Sequence, residues 1–233
     1  MPVVVVGADQ ASFRLTMKSR AVTRGHGLLE GFLAYRRRIQ ADGLIPDTVR
    51  QGRILDIGCG SFPLFLHNTR FSERYGLDRL SPSEVGDSRL TLIKHDISNG
   101  SGLPFENEFF DVVTMLAVFE HIETVALRQS LLEIHRVLRP EGLYVMTTPA
   151  RWAEGILKAM TNLGLVSSEE LNEHKATYRP AEIQSLVADA GFDSTRIRQG
   201  TFELGMNLWA VAQKRSSTDP DRPRPYIDPS RSA

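Results

Sequence analysis

Residues Arg53 to Gly60 read R-I-L-D-I-G-C-G, and this stretch decides the fold. The apolar residues on both sides of Asp56 form a short run that is typical of a strand buried on both faces. Gly58 and Gly60 then interrupt the run, because glycine adopts backbone angles that other residues avoid and lets a ligand approach the main chain. A buried strand that leads into a glycine-rich turn and a helix predicts a doubly wound α/β domain that binds a nucleoside cofactor.

Two further acidic residues follow predicted strands. The segment Arg74–Asp78 predicts a second strand, and its last residue lies about 20 residues after Asp56, the spacing at which such folds place an acid for ribose. A carboxylate suits this role because it accepts hydrogen bonds from both ribose hydroxyls. Leu90–Lys94 predicts a third strand, and Asp96 follows it. We therefore expect these three carboxylates to converge at the carboxyl edge of one sheet.

The rest of the chain continues the alternation of strands and helices. Strands are predicted at Phe109–Leu116, Leu143–Thr148, Ser194–Gln199 and Asn207–Lys214, and helices at Gly27–Asp42, Pro63–Asn68, Glu123–Pro140, Trp152–Leu165, Ser167–Glu173 and Pro180–Ala190. The predicted fold is a Rossmann-like α/β sheet of seven strands, mostly parallel with an antiparallel last strand. Its helices are expected on both faces of the sheet.

Composition limits the class of protein. The chain has 233 residues, 41% of them apolar, and its 28 basic residues balance its 28 acidic ones. Balanced charge gives no reason to expect nucleic acid as a partner. The single cysteine, Cys59, excludes an internal disulfide and a cysteine metal cluster, and we predict no metal site. No apolar run approaches the roughly 20 residues of a membrane span, so we predict a cytoplasmic protein.

Five motifs in order, over about residues 50–215, resemble those of the class I S-adenosylmethionine-dependent methyltransferases. The glycine turn matches the family pattern D-x-G-x-G-x-G except at Phe62, which stands in place of the third glycine. The run L-P-F-x-x-x-x-F-D-V-V from Leu103 resembles the fourth-strand motif. The run E-I-H-R-V-L-R-P-E-G from Glu133 resembles the corner that leads to the fifth strand. The resemblance implies S-adenosylmethionine as cofactor and S-adenosylhomocysteine as product.

The resemblance also implies roles for individual residues. Asp56 would orient the methionine end of the cofactor, Asp78 the ribose and Asp96 the adenine amino group. The implied cofactor-binding set is Asp56, Gly58, Cys59, Gly60, Asp78, Arg79, Asp96, Ile97, Leu116, Ala117 and His121.

Methyl transfer from a sulfonium needs donor and acceptor to be held in line, and a hydroxyl acceptor also needs a base. His121 is the first candidate for the base because it follows the fourth strand and imidazole titrates near neutral pH. His174, in the segment before the last strands, is the second candidate. The alternative for His121 is that it packs against the cofactor or caps a helix.

Three parts of the chain are expected. Residues 50–215 form the cofactor-binding methyltransferase domain, and residues 216–233 are predicted to be disordered because they are almost devoid of apolar side chains. Residues 1–49 comprise an arm and a helix. The Arg36-Arg37-Arg38 cluster of this helix is either a solvated face or part of a lid over the active site.

The predicted reaction moves a methyl group to an oxygen or nitrogen of a small molecule, a saccharide or a lipid-linked acceptor. The chain has neither the Asn-Pro-Pro-Tyr motif of adenine methylation nor the Pro-Cys pair of cytosine-carbon methylation. Two alternatives stay open: a catalytically silent cofactor-binding scaffold, and a protein or RNA methyltransferase supported by the arginine cluster alone. A nicotinamide-dependent oxidoreductase is disfavoured, because Pro63 stands where its third glycine would be.

Overall fold

One sheet of seven strands organises the chain, in a computed structural model that describes residues 30–80, 87–162 and 176–216. The strands are β1 Arg53–Ile57, β2 Glu73–Asp78, β3 Leu90–Lys94, β4 Phe110–Leu116, β5 Leu138–Pro149, β6 Ile197–Phe202 and β7 Asn207–Gln213. Their order is β3-β2-β1-β4-β5-β7-β6, and β7 runs antiparallel to the other six strands. The predicted fold class is confirmed.

Helices cover both faces of this sheet. They are α1 Glu30–Leu44, α2 Leu64–Asn68, α3 Thr124–Val137, α4 Glu154–Asn162 and α5 Pro180–Asp189. Successive strand residues point to opposite faces, so Ile54 packs in one apolar cluster with α1 and α2, while Leu55 packs in another with α3 and α5. We call the first of these faces the α1 face.

A polar network fixes the end of α1 to the sheet domain. Arg50 donates from Nη1 to Asp42 Oδ1 at 2.9 Å and to Thr69 Oγ1 at 3.1 Å. Thr69 in turn donates to the same oxygen of Asp42 at 2.7 Å. Since Ala41 is fully buried against the sheet, the second half of α1 is an integral part of the domain. The lid role predicted for this part of the chain stays a prediction.

The corner between α3 and β5 differs from the sequence prediction. The helix ends at Val137 rather than Pro140, and β5 begins at Leu138 rather than Leu143. Proline has no N–H to donate and disfavours a helical residue before it, so the helix must end upstream of Pro140. Leu138 pairs with Phe110 of β4, and the register then shifts before Val112. The first residues of β5 thus precede an irregularity in its pairing with β4.

Other boundaries shift by a few residues or lie outside the described part of the chain. The predicted strand at Ser194 begins as a 3-10 helix, Ser194–Arg196, before β6. The helix predicted from Trp152 begins with the 3-10 helix Arg151–Ala153 and continues as α4. Three predicted segments lie outside the described residues: the arm before Gly27, the helix at Ser167–Glu173 and the tail beyond residue 216.

The described ranges contain neither a membrane-spanning helix nor a metal-binding cluster. None of their helices is both long and apolar enough to cross a lipid bilayer. Within the same ranges, no three or more His, Cys, Asp or Glu side chains are grouped so that they could hold a metal ion.

Candidate active site

The turn after β1 depends on two glycines in the left-handed backbone region. Gly58 has φ of 76° and Gly60 has φ of 74°, angles that strain any residue with a Cβ atom. The Gly58 N–H donates to the carbonyl of Leu77 at 2.7 Å, which ties the turn to the end of β2. A Cβ atom on Gly58 would lie 2.2 Å from Cγ2 of Val118, so the turn also touches the segment after β4.

Asp78 holds the other side of this turn. It ends β2 with only 4% of its surface exposed. One oxygen, Oδ2, accepts from the N–H of Gly60 at 2.8 Å, and the other, Oδ1, accepts from the N–H of Leu80 at 2.8 Å. Two backbone N–H groups thus fix the orientation of this carboxylate, a group that can accept about four hydrogen bonds.

Asp56 lies buried beside Asp78 on the same edge. Thr114 of β4 donates to its Oδ1 at 2.6 Å. Burial raises the pKa of Asp56 to about 7, although the Thr114 hydrogen bond lowers it, and the nearby charge of Asp78 raises it further. Because a bound positive charge would favour the ionised form, the site fits a cofactor with a cationic end.

Asp96 and Ile97 follow β3 but face different surroundings. The Asp96 side chain is exposed, and hydrogen bonds from Ser98 hold the pKa of its carboxyl below the usual value. Ile97 is buried in the apolar core. The His95 N–H donates to the carbonyl of Asp78 at 2.8 Å, which joins the ends of β3 and β2. Asp96 therefore follows the strand next to β2, at the same edge of the sheet as Asp78.

Cys59 packs into the space that the missing side chain of Gly76 leaves. A Cβ atom on Gly76 of β2 would lie 2.8 Å from the Cys59 sulfur. The absence of a side chain at Gly76 thus lets the turn approach β2. Cys59 is thus small enough to fit between the turn and β2.

The segment after β4 is fixed by strained and buried residues. Ala117 has φ of 55°, unusual for a residue with a side chain, and its N–H donates to the carbonyl of Thr147 at 3.0 Å. Glu120 is buried and accepts from Thr148 Oγ1 at 3.0 Å. His121 ends the 3-10 helix Phe119–His121 and is partly exposed. These bonds fix the backbone that carries His121.

The structure brings most of the predicted site residues together. Residues at or next to the carboxyl ends of β1, β2 and β4 are Asp56, Gly58, Cys59, Gly60, Asp78, Arg79, Leu116, Ala117 and His121, and Asp96 and Ile97 follow the neighbouring β3. His174 lies outside the described residues.

Sequence reasoning missed the residues that support this site. Thr114 bonds to Asp56, and Thr148 bonds to Glu120. The signal that could have found Thr114 and Glu120 is a polar residue inside an otherwise apolar run, since buried polar groups are nearly always hydrogen-bonded.

Comparison with known proteins agrees with this geometry. Residues 55–146 match the methyltransferase domain family. Residues 55–146 of this chain thus carry a methyltransferase domain. The family resemblance expected from the motifs is therefore confirmed, and the cofactor of this class is S-adenosylmethionine.

Relatives of this methyltransferase domain share modest identity with it. The ubiquinone biosynthesis O-methyltransferase of Rickettsia canadensis is 28% identical over 110 residues, which are 46% of this chain and 45% of the relative. The protein of the same name from Rickettsia typhi is 25% identical over 173 residues, which are 69% of this chain and 68% of the relative. The chain thus spans about half the length of the first relative and two thirds of the second.

Solved structures share the fold of this chain. An S-adenosylmethionine-dependent methyltransferase from Mesorhizobium loti superposes with a TM-score of 0.55 at 21% identity, over 76% of this chain and 96% of that one. A methyltransferase from Thermotoga maritima gives a TM-score of 0.58 at 18% identity, over 78% and 89%. At these identities the likeness establishes the architecture alone.

The contact between Gly58 and Val118 predicts a specific cost for a side chain in the turn. Gly58→Ala and Gly100→Ala both place alanine at a positive φ, but Gly100, at φ of 73°, has nothing within 4 Å of an added Cβ. We expect Gly58→Ala to lower the free energy of unfolding by about 1–3 kcal/mol more than Gly100→Ala, because only Gly58→Ala overpacks. Urea denaturation measures both. Equal losses would contradict the close contact.

The pKa of Asp56 predicts how stability depends on pH. An acid whose pKa is raised on folding binds its proton more tightly in the folded state, so stability falls as pH rises from 3.8 to about 7. The Asp56→Asn variant has no ionisable group at this position, so it does not undergo this pH-dependent loss of stability. Thermal unfolding of the cofactor-free protein should show that the stability of the variant increases relative to that of the wild type as the pH is raised. A difference that is constant across this pH range would contradict the raised pKa.

Proposed function

We propose that this protein transfers a methyl group from S-adenosylmethionine to an oxygen atom of a small hydroxylated molecule. The observation that carries the proposal is the edge at which Asp56 and Asp78 flank the turn from Gly58 to Gly60. The choice of oxygen is supported by the Rickettsia relatives, which are named O-methyltransferases. The expectation of a small-molecule acceptor rests on the same relatives.

Several groups at this edge suit the cofactor. Asp56, whose ionised form a positive charge would favour, is assigned to the cationic methionine end. Asp78 is assigned to the ribose hydroxyls and Asp96 to the adenine amino group. A Cβ atom on Gly60 would meet only the Phe62 backbone, at 3.9 Å and 4.0 Å, so the main chain of the turn is open to close approach.

The protein's work in this reaction is mainly to position the reactants. The cofactor supplies an already activated methyl group, and correct alignment can contribute about 7–11 kcal/mol to lowering the barrier. The fixed backbone of Ala117 and the bonded Glu120 hold the segment that faces the acceptor. His121 on this segment is the proposed base that takes the proton of the acceptor hydroxyl. His174 stays the second candidate.

Replacement of Asp78 tests the cofactor site. We expect Asp78→Ala to weaken the binding of S-adenosylhomocysteine about tenfold or more, which is the scale of a lost charge-assisted hydrogen bond. Asp189→Ala is the control, because it removes an aspartate that pairs with Arg128 at 2.7 Å on the surface. Calorimetry measures both affinities, and circular dichroism confirms that each variant is folded. Wild-type affinity in Asp78→Ala would remove this residue from the site.

An acceptor screen tests the reaction itself. Ligands released from the purified protein are identified by mass spectrometry, and hydroxylated metabolites are then assayed with S-adenosylmethionine for methylated product. We expect His121→Ala to lower turnover about 10²–10⁴-fold while S-adenosylhomocysteine still binds. His135→Gln is the control. His135 lies on α3, and its ring centroid is 5.0 Å from that of Phe192 in the segment after α5. Cofactor binding without any product would favour the scaffold alternative.

A further inference from the structure

The turn between β6 and β7 presents an apolar side chain to solvent from a strained backbone. Glu203 has φ of 51° and Leu204 has φ of 56°, both in the left-handed region that disfavours residues with a Cβ atom. Leu204 is 95% exposed, so burial of its side chain does not compensate for this conformation. Strain of this kind is concentrated at functional sites. The tip of the turn is therefore a candidate contact surface.

Two further exposed apolar side chains continue from this tip. The indole N–H of Trp152 donates to the carbonyl of Gly205 at 3.1 Å, and yet 58% of Trp152 is exposed. Ile156 follows one helical turn later in α4 and is also exposed, whereas Ala153 between them is fully buried. Single exposed apolar residues are common, but adjoining ones mark contact surfaces. We call Leu204, Trp152 and Ile156 the tip patch.

The first half of α1 also exposes an apolar stripe. Phe32, Tyr35 and Ile39 recur at three- and four-residue spacing and are all exposed, while Ala41 is fully buried against the sheet. A surface helix normally turns such a stripe toward the core of its own domain. In α1 the stripe points outward instead, which is typical of a helix that contacts a second surface.

Arginines of α1 connect the stripe to the turn. Burial raises the pKa of the Glu203 carboxyl, and the positive charges of Arg37 and Arg36 partly offset this rise. Coulombic interactions weaken with distance, so these guanidinium groups lie near the turn. Arg36 is exposed, and Arg38 stacks over the Tyr35 ring at 5.0 Å. Positive charge therefore accompanies the exposed apolar side chains of α1 and extends to the turn.

This combination of charge and apolar side chains favours a lipid surface over a second copy of the chain. A symmetric dimer through this surface would bring the same arginines of both copies to one interface, where like charges repel. An anionic bilayer attracts arginine and accepts apolar side chains below its headgroups. Tryptophan and tyrosine, both exposed in these two regions, are enriched at the interface between a bilayer and water.

We propose that the tip patch and the exposed stripe of α1 dock this protein on an anionic lipid surface. The tip patch enters the boundary between headgroups and acyl chains, and Arg36 contacts the anionic headgroups. Docking of this kind is peripheral and reversible. It does not depend on the proposed reaction, and it is measured without cofactor or acceptor.

Co-sedimentation of the full chain with lipid vesicles tests this surface. The vesicles consist of phosphatidylcholine alone or of phosphatidylcholine with about one third phosphatidylglycerol. We expect the anionic vesicles to bind the protein about tenfold more tightly or more, and added salt to weaken this binding because it screens exposed charges. No binding to the anionic vesicles, or binding that is independent of lipid charge, would overturn the proposal.

Tryptophan fluorescence shows whether the tip patch enters the lipid. The chain has two tryptophans, and the other one, Trp209, packs half-buried on the α1 face. We expect the emission to shift to shorter wavelength on anionic vesicles, because Trp152 leaves water. Trp152→Phe should still bind but lose this shift, since phenylalanine keeps the apolar contact. A shift that persists in Trp152→Phe means that the tip patch does not enter the lipid.

Matched variants identify the residues that carry the binding. We expect Leu204→Asn to weaken binding to anionic vesicles about tenfold, because it removes an inserted apolar side chain. Its free energy of unfolding should not fall, since asparagine tolerates the left-handed region. Arg36→Gln should weaken binding several-fold at low salt. The controls are Val125→Asn and Arg128→Gln, which replace exposed side chains of α3 on the other face of the sheet and should bind as the wild type does.

The remaining outcomes decide against docking on lipid. Equal losses in Leu204→Asn and Val125→Asn would show that the effect is not specific to the tip patch. Sedimentation velocity without lipid covers the case of a second copy: if the wild type self-associates, Leu204→Asn does not and vesicles are not bound, the surface is a contact between copies. If Leu204→Asn does not fold, Arg36→Gln and the fluorescence of Trp152→Phe decide the question.

Discussion

The carboxylate of Asp78 is the contact on which the rest of the site depends. It accepts from the main chain of the glycine turn at Gly60 and from its own strand end at Leu80, both at 2.8 Å. The turn could take many paths between β1 and α2, and this bridge together with the bond from Gly58 to Leu77 selects one of them. The residue predicted to bind ribose is therefore also the residue that gives the turn its shape.

Most of the strands and the turn after β1 could be predicted because they follow from local patterns. A buried apolar run that ends in glycines, as in Arg53–Gly60, indicates a strand and a turn without reference to the rest of the chain. Pro140 requires α3 to end before it, but the pairing of Leu138 with Phe110 is what makes β5 begin at Leu138 rather than at Leu143. That pairing joins residues distant in sequence, and no local pattern contains it.

The supporting polar contacts could not be predicted for the same reason. Thr114 reaches Asp56 only because β4 lies beside β1, and Trp152 reaches Gly205 only because β5 pairs with β7. Glu203 stands in a hairpin turn whose sequence, Glu-Leu-Gly, contains a single glycine, so two positive φ angles at residues with side chains were not expected. These contacts depend on the assembled sheet.

The two raised carboxyl pKa values distinguish two positions at the carboxyl edge of the sheet. Burial disfavours the ionised form of Asp56 in β1 and of Glu203 after β6. A cation beside Asp56 would restore its ionised form. At Glu203 the charges of Arg37 and Arg36 on α1 already favour the ionised form in part. The two carboxyl groups therefore differ in that only the charge of Asp56 calls for a bound cation.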